Sequence, residues 1–292
     1  MDLTAFAEEV GTDGPVAAVG GRTQWDAGGA AAPDVREVHA PAGIVEYEPA
    51  EMTVRCGAGT EVAELDVALA EHGQCVALPA WPGATVGGVL AVGRSGMRRL
   101  RQGPLRDVLL EARYVSAGGK VIKAGGPTVK NVSGFDLCRL LVGSLGTLGL
   151  LGEVCLRCRP RPGASRWFAG HAEPFELLHR LHQPSSILWD GTTTWLLLEG
   201  HPADVDAQGA LAGLPEAGGP PPLPIGGRVS LRPSALRALS GTFVAEIGVG
   251  VVHAAEPAPS VPVAPGVAEL NRRVKHAFDP AGRLNPGRRV AA

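Results

Sequence analysis

Residues 130–159, KNVSGFDLCRLLVGSLGTLGLLGEVCLRCR, compress a helix, a glycine-spaced loop and a strand into thirty residues, and their order decides the fold. Ser133 followed three residues later by Asp136 reads as a helix start. Leu137, Leu140 and Leu141 supply its apolar face, and Gly143 ends it. Gly143, Gly146 and Gly149 then fall at every third position, which removes Cβ atoms where backbone must approach backbone or a flat ligand. From Glu153 the pattern alternates. Val154, Leu156 and Cys158 oppose Glu153, Cys155, Arg157 and Arg159, so a half-buried strand is expected to run to Pro160. A glycine run that follows a helix and enters a strand reverses the strand, glycine turn and helix order of a Rossmann unit, which disfavours that fold.

The bulk properties narrow the class. A chain of 292 residues with 45% hydrophobic side chains suffices for one large or two modest cores. The formal charge of −2 argues against general nucleic-acid binding. No run of eighteen apolar residues exists to insert in a bilayer. The opening MDLTAFAEEVG lacks a basic region followed by an apolar one, so the expected location is the cytoplasm, peripheral to the inner membrane only through partner subunits. Five cysteines suit reduced thiols. Cys155 and Cys158 form a CxxC, but three residues apart on a strand they face opposite sides, so shared metal chelation is not expected.

Upstream, residues 16–19 are an apolar strand candidate running into Gly20, Gly21, Arg22, Thr23 and Gln24. Two glycines allow successive N–H groups to converge on a diphosphate, although taken alone the segment reads more readily as a plain glycine turn. Residues 27–33, AGGAAAP, are expected to form a loop. Strand candidates follow at 35–38, 44–48 and 52–56. Thr60 is placed as the cap of a helix that buries Val62, Leu65 and Leu69 and closes at Gly73, and a strand at 75–78 completes a β-α-β unit. Residues 79–88, PAWPGATVGG, read as a Pro/Gly turn in which Thr85, Gly87 and Gly88 leave polar contacts and room beside a planar ring. Residues 94–106, RSGMRRLRQGPLR, carry five arginines: a solvated loop, an attractor for an anionic substrate, or a docking patch. Residues 107–116 and 120–123 are a hairpin turning at Gly118 and Gly119.

Beyond Pro162 the pattern is weaker, with a helix at 174–181, strands at 193–198 and 243–252, and a Pro/Gly loop at 214–227. Glu176, His179 and His182 sit at helical spacing, where a solvated face is the favoured reading over a metal site. After a second Pro-rich stretch, 254–266, comes LNRRVKHAFDPAGRLNPG at 270–287, a helix stopping at Asp279 and Pro280.

Taken together, KNVSGFDLCRLLVGSLGTLGLLGEVCLRCRP, the GGRTQ loop, the TVGG segment and the SGMRRLRQG segment closely resemble the vanillyl-alcohol-oxidase-like flavoproteins with a PCMH-type FAD domain. Within them the wording is most similar to the glycolate oxidase E subunit. The closing D-P-x-G-x-L-N-P-G resembles the C-terminal signature of FAD-linked oxidases. The resemblance implies an α+β fold: a two-lobed PCMH-type FAD-binding domain (1–163), a short α+β cap domain (164–255), and a linker and tail (256–292) returning to the FAD domain. It places FAD against Gly20, Gly21, Arg22, Thr23 and Gln24; against Thr85, Gly87, Gly88, Ser95 and Gly96; and against Asn131, Gly134, Asp136, Gly146, Thr147, Gly149, Val154 and Asn285. Some relatives tether the flavin through a histidine near the diphosphate loop. None stands between Gly20 and Gln24, so non-covalent FAD is expected.

Oxidation of a 2-hydroxy acid on such a scaffold needs an anchored carboxylate and a base for the hydroxyl proton. His253, in GVGVVHA, is the base candidate, with a strand-end histidine as the plainer alternative. No metal site is expected. Two functions share every cofactor motif: a glycolate-oxidase-type subunit that oxidises a small 2-hydroxy acid and passes electrons on, or an FAD-binding assembly or relay subunit without independent turnover. Implied partners are a second flavoprotein and an iron–sulfur subunit.

Overall fold

The computed structural model describes residues 1–127, 136–257 and 263–289. The chain divides into two compact units: Met1–Ser95, Pro104–Pro160 and Val263–Ala292 form the first, and Gly96–Gly103 with Arg161–Pro262 the second.

The first unit begins with α1 (Thr4–Val10) and a two-stranded parallel pair, β1 (Val16–Ala18) and β2 (Arg36–Val38). There follow β3 (Ile44–Glu48), β4 (Thr53–Gly57), α2 (Val62–Ala70), β5 (Gln74–Val76) and α3 (Val86–Val92). After α4 (Arg99–Gln102), which belongs to the second unit, come β6 (Leu109–Val115), β7 (Val121–Gly125), α5 (Leu137–Leu141) and β8 (Leu150–Pro160). The strands form an antiparallel sheet in the order β3-β4-β8-β6-β7, with β5 pairing the far end of β8.

The central strand β8 departs from the expected half-buried pattern. It starts three residues before Glu153, and Glu153 and Cys155 are as inaccessible as Val154 and Leu156. Both faces are covered, and the carboxylate of Glu153 is tolerated there because the Met1 amino group lies 2.6 Å away and Arg55 and Arg113 lie 3.3 and 3.4 Å away. A parallel arrangement holds Glu111, which meets Arg55 at 2.6 Å and Lys123 at 2.9 Å.

Local corrections follow from competing hydrogen bonds. Thr60 does not cap α2: its hydroxyl donates to the Gly57 carbonyl at 2.7 Å and accepts the Gly43 N–H at 2.9 Å, leaving Glu61 at the cap position. Val62, Leu65 and Leu69 form the buried face of α2. Asp136 is the cap of α5, accepting the Arg139 N–H at 3.2 Å, while Ser133 lies outside the described residues. The buried face of α5 is Cys138 and Leu141; Leu140 is 43% exposed. The Pro/Gly turn expected over 79–88 gives way from residue 86 to a helix running to residue 92, because Thr85 caps it by accepting the Gly88 N–H at 3.3 Å.

The second unit holds β9 (Ala164–Gly170), α6 (Pro174–Arg180), β10 (Ser186–Trp189), β11 (Thr194–Gly200), α7 (Pro202–Ala212), β12 (Glu216–Ala217), β13 (Gly227–Ser230), β14 (Phe243–Glu246) and β15 (Val251–Ala254). Its seven strands run β12-β9-β11-β10-β14-β15-β13, with Phe168, Leu177, Ile187, Leu196, Val205 and Val252 in its core. The single strand expected over 243–252 is two, because the Val249 and Gly250 N–H groups turn back onto the Glu246 carbonyl. The arginine-rich segment is largely structural. Arg98 Nε donates to both carboxylate oxygens of Glu199 at 2.9 and 3.1 Å, Arg101 donates to the Glu199 carbonyl, and Leu100 packs on the core. No helix among the described residues is long and apolar enough to cross a membrane.

Candidate functional site

Four segments of the first unit build one elongated cleft. The loop leaving β1 lies flat on residues 83–85. A Cβ at Gly20 would stand 2.1 Å from Thr85 Oγ1, and one at Gly21 1.6 Å from the Gly83 carbonyl oxygen. The second segment is the start of α3, with Thr85, Gly87 and Gly88. The third is the turn after α5, and the fourth the C-terminal tail. One lobe of the cleft is lined by the 20–25 loop, Trp81, Val89, Leu145, Asn285 and Arg288. An adjoining lobe is lined by Gly59, Gly87, Gly146, Gly149 and Leu151. The lobes share Ala18, Gly20, Thr85, Gly88, Ala91 and Leu145.

The tail explains its own signature residue by residue. The helix Pro265–Phe278 ends at Asp279, whose carboxylate accepts from Lys275 Nζ at 2.6 Å, the Arg283 N–H at 3.1 Å and the Leu284 N–H at 2.7 Å. The Arg283 guanidinium donates to the carbonyls of Val10, Gly11, Asp13, Gly14 and Ala117. Leu284 bridges to Val16, and Asn285 enters the cleft with its N–H donating to the Val16 carbonyl at 2.7 Å.

Strain and unsatisfied polarity concentrate here. Of six non-glycine residues at positive φ among the described residues, three line the cleft: Arg22 at +54°, Leu145 at +54° and Asn285 at +42°. Such conformations persist where surrounding structure enforces them, commonly at ligand sites. Leu145 is enforced from both sides: its N–H donates to the Ala91 carbonyl at 2.8 Å, and its carbonyl accepts Asn285 Nδ2 at 2.5 Å. That bond leaves Asn285 Oδ1 without a donor although the residue is only 8% exposed, and Gln24 Oε1 is likewise buried and unpartnered. Two orphaned acceptors in an elongated cleft suit a ligand rich in O–H and N–H donors, as a dinucleotide is.

Of the residues anticipated for the cofactor, Gly20, Gly21, Arg22, Thr23, Gln24, Thr85, Gly87, Gly88, Gly146, Gly149 and Asn285 line the cleft. Others do not. Val154 is fully buried in the core between Cys56 and Ala112 on the neighbouring strands. Thr147 donates its hydroxyl to the Ser144 carbonyl at 2.7 Å and locks the turn. Asp136 caps α5 and pairs with Arg139 at 3.0 Å. Ser95 accepts the Leu105 N–H at 3.3 Å, and Gly96 belongs to the second unit. Asn131 and Gly134 lie outside the described residues. His253 sits on β15 with Nε2 3.0 Å from the buried Glu246 Oε1. Trp25, Trp81, Leu145 and Arg288 line the cleft without having been anticipated. Trp25 was within reach, since it directly follows the GGRTQ loop.

Burial raises the thiols of Cys138 to about 11 and of Cys56 and Cys158 to about 12, so they are protonated at neutral pH. Among the described residues no cluster of His, Cys, Asp or Glu is arranged to hold a metal ion.

A sheet-based unit closed by a returning tail, with a glycine-lined cleft between β1 and α3, is built to take an elongated ligand such as a dinucleotide. Residues 4–125 match the family of FAD binding domains, and residues 234–288 match the C-terminal domain of FAD linked oxidases. The chain is thus similar to an FAD binding domain over its first part and to the C-terminal domain of FAD linked oxidases near its end. Glycolate oxidase subunit GlcE of Escherichia coli is 36% identical over 195 residues, covering 63% of this chain and 55% of its own length. A D-lactate dehydrogenase of Archaeoglobus fulgidus is 42% identical over 109 residues, 36% of this chain and 24% of its own. This chain therefore spans about half, or less, of those relatives. A solved structure of alkyldihydroxyacetonephosphate synthase superposes with a TM-score of 0.68 at 14% identity, over 97% of this chain and 73% of that one, a likeness of fold alone.

Proposed function

We propose that the chain is a flavin-binding subunit of glycolate-oxidase type that oxidises a small 2-hydroxy acid and passes the electrons to a partner. The observation that carries it is the cleft of the first unit, where a glycine-built loop, two orphaned acceptors and three strained residues converge. The chemistry that bound FAD supplies is acceptance at N5 of a hydride from the substrate Cα.

The chain's own residues bind and orient. Backbone N–H groups of the 20–24 loop would hold the diphosphate, Asn285 Oδ1 would accept from a ligand N–H or O–H, and Val89, Ala91 and Leu145 would exclude water. Non-covalent FAD is part of this proposal, in keeping with a Gly20–Gln24 loop that carries no histidine. Residues 164–255 serve as the substrate cap. The names of the relatives, glycolate oxidase subunits GlcE and GlcD, support a multi-subunit assembly, with a second flavoprotein and an iron–sulfur subunit as the proposed partners.

A specific observation favours the second reading, a relay or assembly subunit without turnover of its own. His253, the base candidate, is already engaged by Glu246 within the sheet. The test is the visible absorption spectrum of the purified chain before and after anaerobic addition of glycolate and D-lactate. Flavin bands that bleach support the dehydrogenase and reveal its substrate. Bands that persist until partners are added support the relay subunit, and absence of flavin even after reconstitution rejects both.

A further inference from the structure

The rim of the cleft is tied to the tail by one side chain. Gly287, at a φ of +87°, lies so close to the 30–32 segment that a Cβ would stand 2.6 Å from Ala32 N. On either side of Arg288 the tail is bonded to that loop: the Ala32 N–H donates to the Pro286 carbonyl at 2.9 Å, and the Arg289 N–H donates to the Gly28 carbonyl at 2.8 Å. Between these anchors Arg288 Nη1 donates to the carbonyls of Trp25 at 2.5 Å, Ala27 at 3.3 Å and Gly29. Its guanidinium lies 4.5 Å from the Trp25 ring centroid, and Arg22 lies 4.7 Å from the same ring.

Three carbonyls converging on one point repel each other and any approaching anion unless a cation sits among them. The two cations of the cleft differ. Arg22 is paired with Glu37 at 2.5 Å, whereas Arg288 is held mainly by carbonyls, with Asp26 as the carboxylate that acts on its charge. The turn that Arg288 closes, 25–29, continues directly from the 20–24 loop, and the Trp25 N–H donates to the Arg22 carbonyl at 3.2 Å.

We propose that Arg288 is a positioning residue for the dinucleotide, holding the 25–29 turn and with it the 20–24 loop in the anion-accepting form, and adding a positive charge to the cleft. The inference rests on the FAD reading. It requires that the tail control cofactor affinity without touching the flavin ring.

The experiment titrates the full-length apoprotein with FAD, followed by quenching of flavin fluorescence at low and high salt, alongside thermal melting of each apoprotein. Arg288→Met is expected to weaken FAD binding about tenfold or more and to flatten its salt dependence, with the apoprotein melting point unchanged. Arg288→Lys keeps the charge but not the planar fork, so it is expected to restore the salt dependence and only part of the affinity. Equal affinity in wild type and Arg288→Met would overturn the proposal while leaving the FAD reading intact. A loss of affinity accompanied by a lower apoprotein melting point in both variants would also overturn it, as a structural role. Failure of the wild-type chain to bind FAD would overturn the FAD reading and this proposal with it.

Discussion

At Gly21 the chain has no room for a side chain, and the reason is its own backbone. In the structure a Cβ at Gly21 would overlap the Gly83 carbonyl, so even Gly21→Ala must displace the 83–85 segment. We expect Gly21→Ala to purify with little bound flavin, read as the ratio of absorbance at the flavin band to that of the protein. Gly146 fails differently: its φ of +71° is the left-handed region, and an added Cβ meets only Leu150, at 3.3 Å. Gly146→Val is therefore expected to cost stability by about 1–2 kcal/mol or more, seen in chemical denaturation of the apoprotein. For Asn285, replacement by Leu removes both the acceptor aimed at the ligand and the donor to the strained Leu145, so FAD affinity is expected to fall.

Among the elements, the tail has the greatest effect for its size, because buried polar groups from distant segments depend on it. Burial pushes the Asp279 carboxyl up, but its bonds with Lys275 and the Leu284 and Arg283 amides outweigh this and hold it below the usual carboxylate value. A carboxyl whose folded pKa lies below its unfolded value of about 3.9 stabilises fully above that value and loses the contribution as pH falls through the folded one. Melting temperature is thus expected to drop below about pH 4 in the wild type. In Asp279→Asn the drop should be smaller, starting from a protein already less stable at pH 7. Arg283→Met removes a donor from the carbonyls of five residues, of which Val10 keeps Arg36, and is expected to destabilise by about 3 kcal/mol or more in urea unfolding.

At the scale of the whole molecule, packing decides reactivity. Cys56, Cys138, Cys155 and Cys158 are buried, and burial raises each thiol, while Cys75 is partly accessible. A thiol reagent at pH 7 is expected to titrate about one cysteine in the native chain, against all five after unfolding. Fast reaction of Cys155 or Cys158 in the folded protein would revive the CxxC as a redox pair.

Local chemistry made much of this protein legible in its sequence. The wording and order of the motifs from GGRTQ to LNPG, by their resemblance to FAD-linked oxidases, pointed to the fold and to eleven residues of the cleft lining, because those motifs reflect backbone needs at single positions, whereas the alternation expected in β8 gave way to burial of both its faces. The second unit was barely legible: α7, β9 and β10 were missed, since their periodicity is short and their burial comes from partners in a seven-stranded sheet. Tertiary structure alone decided that β8 is covered on both faces, that Val154 is core, and that Arg98 and Arg101 serve Glu199. It also decided that Arg288 meets carbonyls more than 250 positions earlier in the chain. Periodicity tells which face of an element is apolar; only the assembled chain shows what covers the other face and which distant carbonyls a side chain must satisfy.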